Sequence, residues 1–173
     1  MPNSSGIAKL KHVVYDSYLL ADEAVVDVLC AIVVGNRLNL DPLWLWLVSP
    51  SSGGKSELIS ALGDVQGIHP IDSLTTQTFV SGYRNKDGKS ASLLLRVKNG
   101  IFTFNDFTTV LSMHREAASE IMGQLRKIYD GDFSKEFGTG ETVAWKGKIG
   151  MISGVTTVIH VKKQLYAAMG ERF

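Results

Sequence analysis

The residues best suited to chemistry stand together at Ser49-Pro50-Ser51-Ser52-Gly53-Gly54-Lys55-Ser56, entered from an apolar run at 43–48 and followed by Glu57. Small residues let successive backbone N–H groups turn toward one centre. A lysine adds a mobile positive charge, and a serine adds a metal-ligating hydroxyl. That combination holds phosphate groups. The spacing matches G-x-x-x-x-G-K-[ST] at Gly54, Lys55 and Ser56, but the first position is Ser49 instead of glycine. Glycine tolerates positive φ and serine does not readily, so Ser49 is expected to restrict the backbone of the loop. The competing reading is a Ser/Gly-rich turn with an incidental lysine. An apolar strand before the loop and a helix after it favour phosphate binding.

Three residues further along could complete such a site. Asp106 ends the apolar run 101–107, where a carboxylate can hold a divalent cation through water. It could also simply cap the next helix or turn. Thr156, or its neighbour Thr157, follows the run 149–155 and could orient an attacking water or sense a terminal phosphate. A helix N-cap is the alternative, and each threonine could serve one purpose. Arg172, in Gly170-Glu171-Arg172-Phe173, could reach a neighbouring subunit's phosphates, or be an ordinary surface arginine.

The elements that must position these residues are those of a soluble domain. With 173 residues, 45% hydrophobic and 20% charged, the chain can bury a substantial core. Its net charge of +1 announces neither a nucleic-acid nor a membrane partner, although a local basic patch remains compatible with it. The single cysteine, Cys30, lies in an apolar run and reads as a small buried hydrophobe. It cannot form an internal disulfide, which fits a reducing cytoplasm. The polar start Met1-Pro2-Asn3-Ser4-Ser5-Gly6 is unlike a signal peptide, and no apolar run reaches the roughly 18 residues of a membrane span.

Periodicity predicts a short strand at 12–15, then a helix over 23–34, capped by Asp22, with Val25, Val28, Leu29 and Ile32 on one face. The run 43–48 lacks polar alternation, as expected of a central strand covered on both faces. A helix is expected over 55–62, strands at 101–107 and 148–154, and a long helix over 114–129 with Ile121, Leu125 and Ile128 inward. A hairpin is expected around Gly138-Thr139-Gly140. A last helix from about 157 would carry Val158, Val161, Leu165 and Ala168 on one stripe. Alternating strands and helices imply an α/β fold with a mainly parallel sheet. Residues 1–21 read as an N-terminal extension to a domain spanning 22–173.

The order of strand, phosphate loop, helix, strand ending in Asp, hairpin, strand ending in Thr, helix and Arg-Phe resembles the ATPase core of the AAA+ and RecA-like P-loop superfamilies. More narrowly, four stretches look like helicase-like ATPases of phages and mobile elements. They are Pro42-Leu43-Trp44, Asp106-Phe107-Thr108, Leu125-Arg126-Lys127-Ile128-Tyr129-Asp130-Gly131 and Gly170-Glu171-Arg172-Phe173. The likeness runs from about residue 22 to the end. It implies a three-layer P-loop NTPase core with a β-hairpin insertion, broken off before a C-terminal lid or further domain. It also implies binding of ATP and Mg²⁺, with loop contacts from residues 49–57. Ser56 and Asp106 would hold the metal, and Lys55, Asp106, Thr156 and Arg172 would act on the phosphates. Hydrolysis would be coupled to work on DNA by a homo-oligomeric ring or filament.

Two departures bear on turnover. Many AAA+ proteins place a glutamate directly after the metal-holding aspartate to activate water, and here that position is Phe107. A base would then come from Glu57, Glu116 or Glu120, or hydrolysis is slow. The other departure is Ser49. Some AAA+ helicases point a hairpin at this place into a pore; Lys135, Lys146 and Lys148 flank the turn, with Phe137 and Trp145 as candidates to stack on bases. The alternative is a packed ribbon. The function expected is the ATPase core of a replication or helicase-like motor, and the alternative is a nucleotide-switched assembly module with weak hydrolysis. A small-molecule kinase fits less well, since no acceptor lid is recognisable.

Overall fold

The apolar runs flanking the phosphate-loop motif lie side by side as parallel strands. The computed structural model describes residues 6–17, 22, 24–83, 86–87, 90–138, 140, 142–161 and 167. Helices α1 (Gly6–Ser17) and α2 (Ala24–Gly35) precede β1 (Trp44–Val48), α3 (Lys55–Ser60) and β2 (Ile68–Pro70). Then come α4 (Leu93–Arg96), β3 (Asn99–Phe104), α5 (Thr108–Leu111) and α6 (Arg115–Tyr129). The hairpin strands β4 (Asp132–Glu136) and β5 (Thr142–Lys146) lead into β6 (Lys148–Val155) and a 3₁₀ turn, Thr157–His160.

The main sheet has the order β1-β6-β3-β2, and every pairing is parallel. Parallel strands need crossover connections that cover both faces, which is why β3 and β6 are buried residue after residue. On one face Phe102, Phe104, Met151 and Val155 pack with Ile121, Leu125 and Ile128 of α6 and with Phe133, Val143 and Trp145 of the hairpin. On the other, Ile101 and Ile152 pack with Leu29 and Val33 of α2 and Ile59 of α3. The α/β expectation therefore holds, with an antiparallel β4–β5 hairpin where the turn signal lies.

Several expected elements differ. Residues 12–15 belong to α1, not to a strand. In α2 the Asp22 carboxylate accepts the Ala24 N–H at 2.9 Å, as a cap should, but Val26, Leu29 and Val33 form the buried face and Val28 is 41% exposed. A helix with valine or isoleucine at nearly every turn offers several equivalent stripes, so its pattern does not choose one. Strand β1, expected to be central, is an edge of the sheet among the described residues. Its apolar run reflects two covered faces, and burial of faces says nothing about pairing along edges. Helix α3 stops at Ser60, and β3 ends at Phe104. Past β6 the chain makes a 3₁₀ turn that buries Ile159, while Val161 is 82% exposed. Leu165 and Ala168 lie outside the described residues.

Candidate phosphate-binding site

Because the sheet is parallel, the chain segments following β1, β3 and β6 all leave from one edge. The register puts Val48 level with Val155, and Phe104 level with Ser153. The loop 49–54, Asp106 and Thr156 therefore start from adjacent strand ends, β6 lying between β1 and β3. Two backbone bonds hold these ends: Ser49 N donates to Val155 O at 3.3 Å, and Phe107 N donates to Gly154 O at 2.8 Å.

Within the loop, Gly53 N donates to Pro50 O at 3.2 Å, and Ser52 and Gly54 take left-handed conformations with φ 62° and 75°. The strain expected at Ser49 thus falls elsewhere. Ser52 is the non-glycine residue that bears it, at a cost of about 1–2 kcal/mol. Such strain persists where surrounding structure imposes it, often around ligands. Ser49 matters through its side chain instead. A Cβ on Gly53 would lie 2.3 Å from Ser49 Oγ, so a side chain here would have to displace that hydroxyl.

The Lys55 ammonium curls back over the loop. It donates to Ser49 O at 2.9 Å, Ser49 Oγ at 3.0 Å and Pro50 O at 2.7 Å, which uses all three of its protons. Ser52, Gly53, Gly54, Lys55, Ser56 and Glu57 line an open cavity of about 300 Å³. A Cβ on Gly54 would meet nothing within 4 Å, so the space above that amide is clear. Ser51 sits exposed at the turn. Glu57 puts a carboxylate on the rim, which repels an anion unless a cation stands between them. With only six residues, α3 adds little dipole, so attraction of an anion would rest on the loop amides and Lys55.

Asp106 does act as a cap: its Oδ1 accepts Thr108 N at 2.9 Å, opening α5. Its side chain is exposed, and the second carboxylate oxygen has no partner among the described residues. The Ser56 hydroxyl is likewise exposed and unpartnered among them. A hydroxyl and a carboxylate are hard oxygen donors that suit Mg²⁺ completed by water and phosphate oxygens. No cluster of three or more His, Cys, Asp or Glu that could hold a metal ion occurs among the described residues.

Thr156 and Thr157 have different positions. Thr156 is half-buried and bonded to Thr108, and its side chain does not cap the 3₁₀ turn. Thr157 is exposed within that turn. Arg172 lies outside the described residues. Of the candidate bases, Glu57 lines the loop cavity, while Glu120 pairs with Lys135 at 3.2 Å on the hairpin side. Glu116 is exposed in the first turn of α6. Phe107, where a glutamate could stand, is fully buried.

Two residues at this edge were not legible as site residues. Asn105 Oδ1 accepts the Ser60 hydroxyl of α3 at 3.4 Å, and a Cβ on Gly154 would lie 2.4 Å from Asn105 O. A polar residue directly after four buried ones was the available signal. Thr108 left none, because its partner Thr156 is distant in sequence.

The hairpin is a packed ribbon on its aromatic side. Trp145 is 4% exposed and unavailable for stacking on bases, and Phe137 is half-buried against Gly82. Lys135 lies 5.5 Å over the Phe137 ring, Lys146 pairs with Asp132 at 3.2 Å, and Lys148 donates to Leu38 O at 2.7 Å. No described helix is long and apolar enough to cross a membrane. No protein-family model matches this chain, and no curated protein matches it in sequence.

Proposed function

We propose that the chain binds ATP at the loop 49–56 and hydrolyses it at the edge shared with Asp106 and Thr156. The observation that carries this reading is the convergence of three strand ends, where ligands of open parallel α/β sheets bind. One end bears a loop with two left-handed residues and a lysine, the next a threonine and the third a carboxylate. The amides of Ser51, Ser52 and Gly54 would cradle the β-phosphate, and Lys55 would exchange its three loop acceptors for phosphate oxygens. Ser56 and Asp106 would hold Mg²⁺, which supplies charge neutralisation of the triphosphate when bound. Thr156 would orient the terminal phosphate or the water, in a reaction that depends on positioning and electrostatics.

The resemblance extends this to a replication or helicase-like motor acting on DNA as a homo-oligomer, with Arg172 completing a neighbour's site. The test is ATP turnover by the wild type, Lys55→Ala and Asp106→Ala, with and without single-stranded DNA. Turnover that both substitutions abolish and DNA stimulates is the expected result. Absence of ATP binding by the wild type would sink the whole reading, and turnover indifferent to DNA over a range of salt would sink the motor alone.

A second reading, a nucleotide-switched assembly module with weak hydrolysis, is favoured by Phe107. That buried ring stands where a water-activating glutamate could be, and one Asp106 oxygen is already engaged by Thr108 N. ATP-dependent oligomerisation without turnover would select it.

A further inference from the structure

Thr108 joins the ends of β3 and β6 through groups that the sheet alone does not connect. Its hydroxyl oxygen accepts the Thr156 N–H at 2.9 Å, and its hydroxyl proton is donated to Thr156 Oγ1 at 3.3 Å. Its own N–H goes to Asp106 Oδ1 at 2.9 Å. A hydroxyl has one proton to give. With Thr108 donating, Thr156 Oγ1 keeps its own proton for a third group. On the other side, engaging Oδ1 fixes the Asp106 carboxylate and leaves the second oxygen to face outward ligands.

We propose that Thr108 is a positioning residue: it presents Thr156 as a hydrogen-bond donor, in fixed register with Asp106, to the terminal phosphate and water of a bound nucleoside triphosphate. This rests on the ATP-binding reading above. Thr108 itself touches no substrate and acts through Thr156.

The links can be separated cleanly. Thr108→Val keeps the side-chain shape and the backbone N–H to Asp106, and removes the hydroxyl links to Thr156. The strand ends stay joined by the Phe107 N to Gly154 O bond, and α5 keeps its Val110 N to Phe107 O bond at 3.1 Å. Single-turnover ATP hydrolysis should then fall about tenfold, the worth of one aligned hydrogen bond, with nucleotide affinity within about twofold of wild type. Thr108→Ser should restore most of the rate. Thr156→Val should give the same loss, and the double variant Thr108→Val/Thr156→Val should lose no more than either single one. Should Thr108→Val melt early, Thr156→Val and the serine variant still decide the matter.

A wild-type rate in Thr108→Val, a loss confined to affinity, or multiplied losses in the double variant would each overturn the inference. Failure of the underlying reading looks different: the wild type itself would then neither bind ATP nor turn it over, and both ideas would fall together.

Discussion

Lys55 and Ser49 are joined twice, the ammonium donating to the Ser49 carbonyl at 2.9 Å and to its hydroxyl at 3.0 Å. The hydroxyl that breaks the glycine pattern at this position is therefore a partner of the cation. A phosphate entering the loop would compete with it, and with Pro50 O, for the same three protons. The loop's own oxygens thus engage all three protons of its lysine.

Replacing that lysine separates the two states. Lys55→Ala removes the positive charge from the cavity and leaves the core untouched, because its partners belong to the exposed loop. ATP turnover should fall on the order of 10²-fold or more, as when one preorganised donor to developing charge is lost. Stability should change by no more than about 0.5 kcal/mol. Steady-state ATP hydrolysis assays, alongside thermal melts, read both.

Ser49→Ala tests the hydroxyl by itself. Lys55 would then surrender two acceptors to a phosphate instead of three. Affinity for ATP should rise about threefold, in line with the net worth of one hydrogen bond. Titration calorimetry of the two proteins measures it. Weaker binding in the variant would mean that the Ser49 hydroxyl contacts the nucleotide and does not compete with it.

What was legible in the chain is what one-dimensional patterns record. The run at 101–104 and the stripe Ile121, Leu125 and Ile128 announce a buried strand and an amphipathic helix, and both form. The loop 49–56 carries its own chemistry in its residue types. Edges, in contrast, have no pattern: the residues of β1 look the same whether one strand or two flank it. The partner of Thr108 is set by the sheet order, which brings two distant threonines together. Trp145 is the instructive case. Its spacing of two from Val143, with Ala144 between, already marks an inward face, yet an aromatic beside lysines also looks like a base-stacking group.

That contrast gives the hairpin a direct test. Trp145 and Val143 pack against the α6 side of the core, so Trp145→Ala should destabilise the fold by about 3–5 kcal/mol. Lys146→Ala removes an exposed ion pair with Asp132, worth about 0–1 kcal/mol. Urea denaturation of the two variants should therefore separate widely. Equal, small effects would mean that the ribbon does not share the core.

Gly154→Ala addresses the alignment of the strand ends. An added Cβ would stand 2.4 Å from Asn105 O, a backbone atom that cannot rotate away. Relief requires the end of β3 to move off β6, and Asp106 moves with it relative to Thr156. Gly150→Ala, in the same strand, is the control. Its Cβ would meet Asn36, 2.4 Å away, a side chain that bonds Ile32 O and both backbone groups of Leu43 on the α2 side. Overpacking at either glycine should cost about 1–3 kcal/mol. Their chemistry should differ: at a temperature where both remain folded, Gly150→Ala should hydrolyse ATP at the wild-type rate per folded molecule, and Gly154→Ala should lose roughly tenfold or more, as misplaced catalytic groups do. Melting curves with single-turnover assays give both quantities, and equal rates in the two variants would show that the register of Asp106 against Thr156 is not what the reaction depends on.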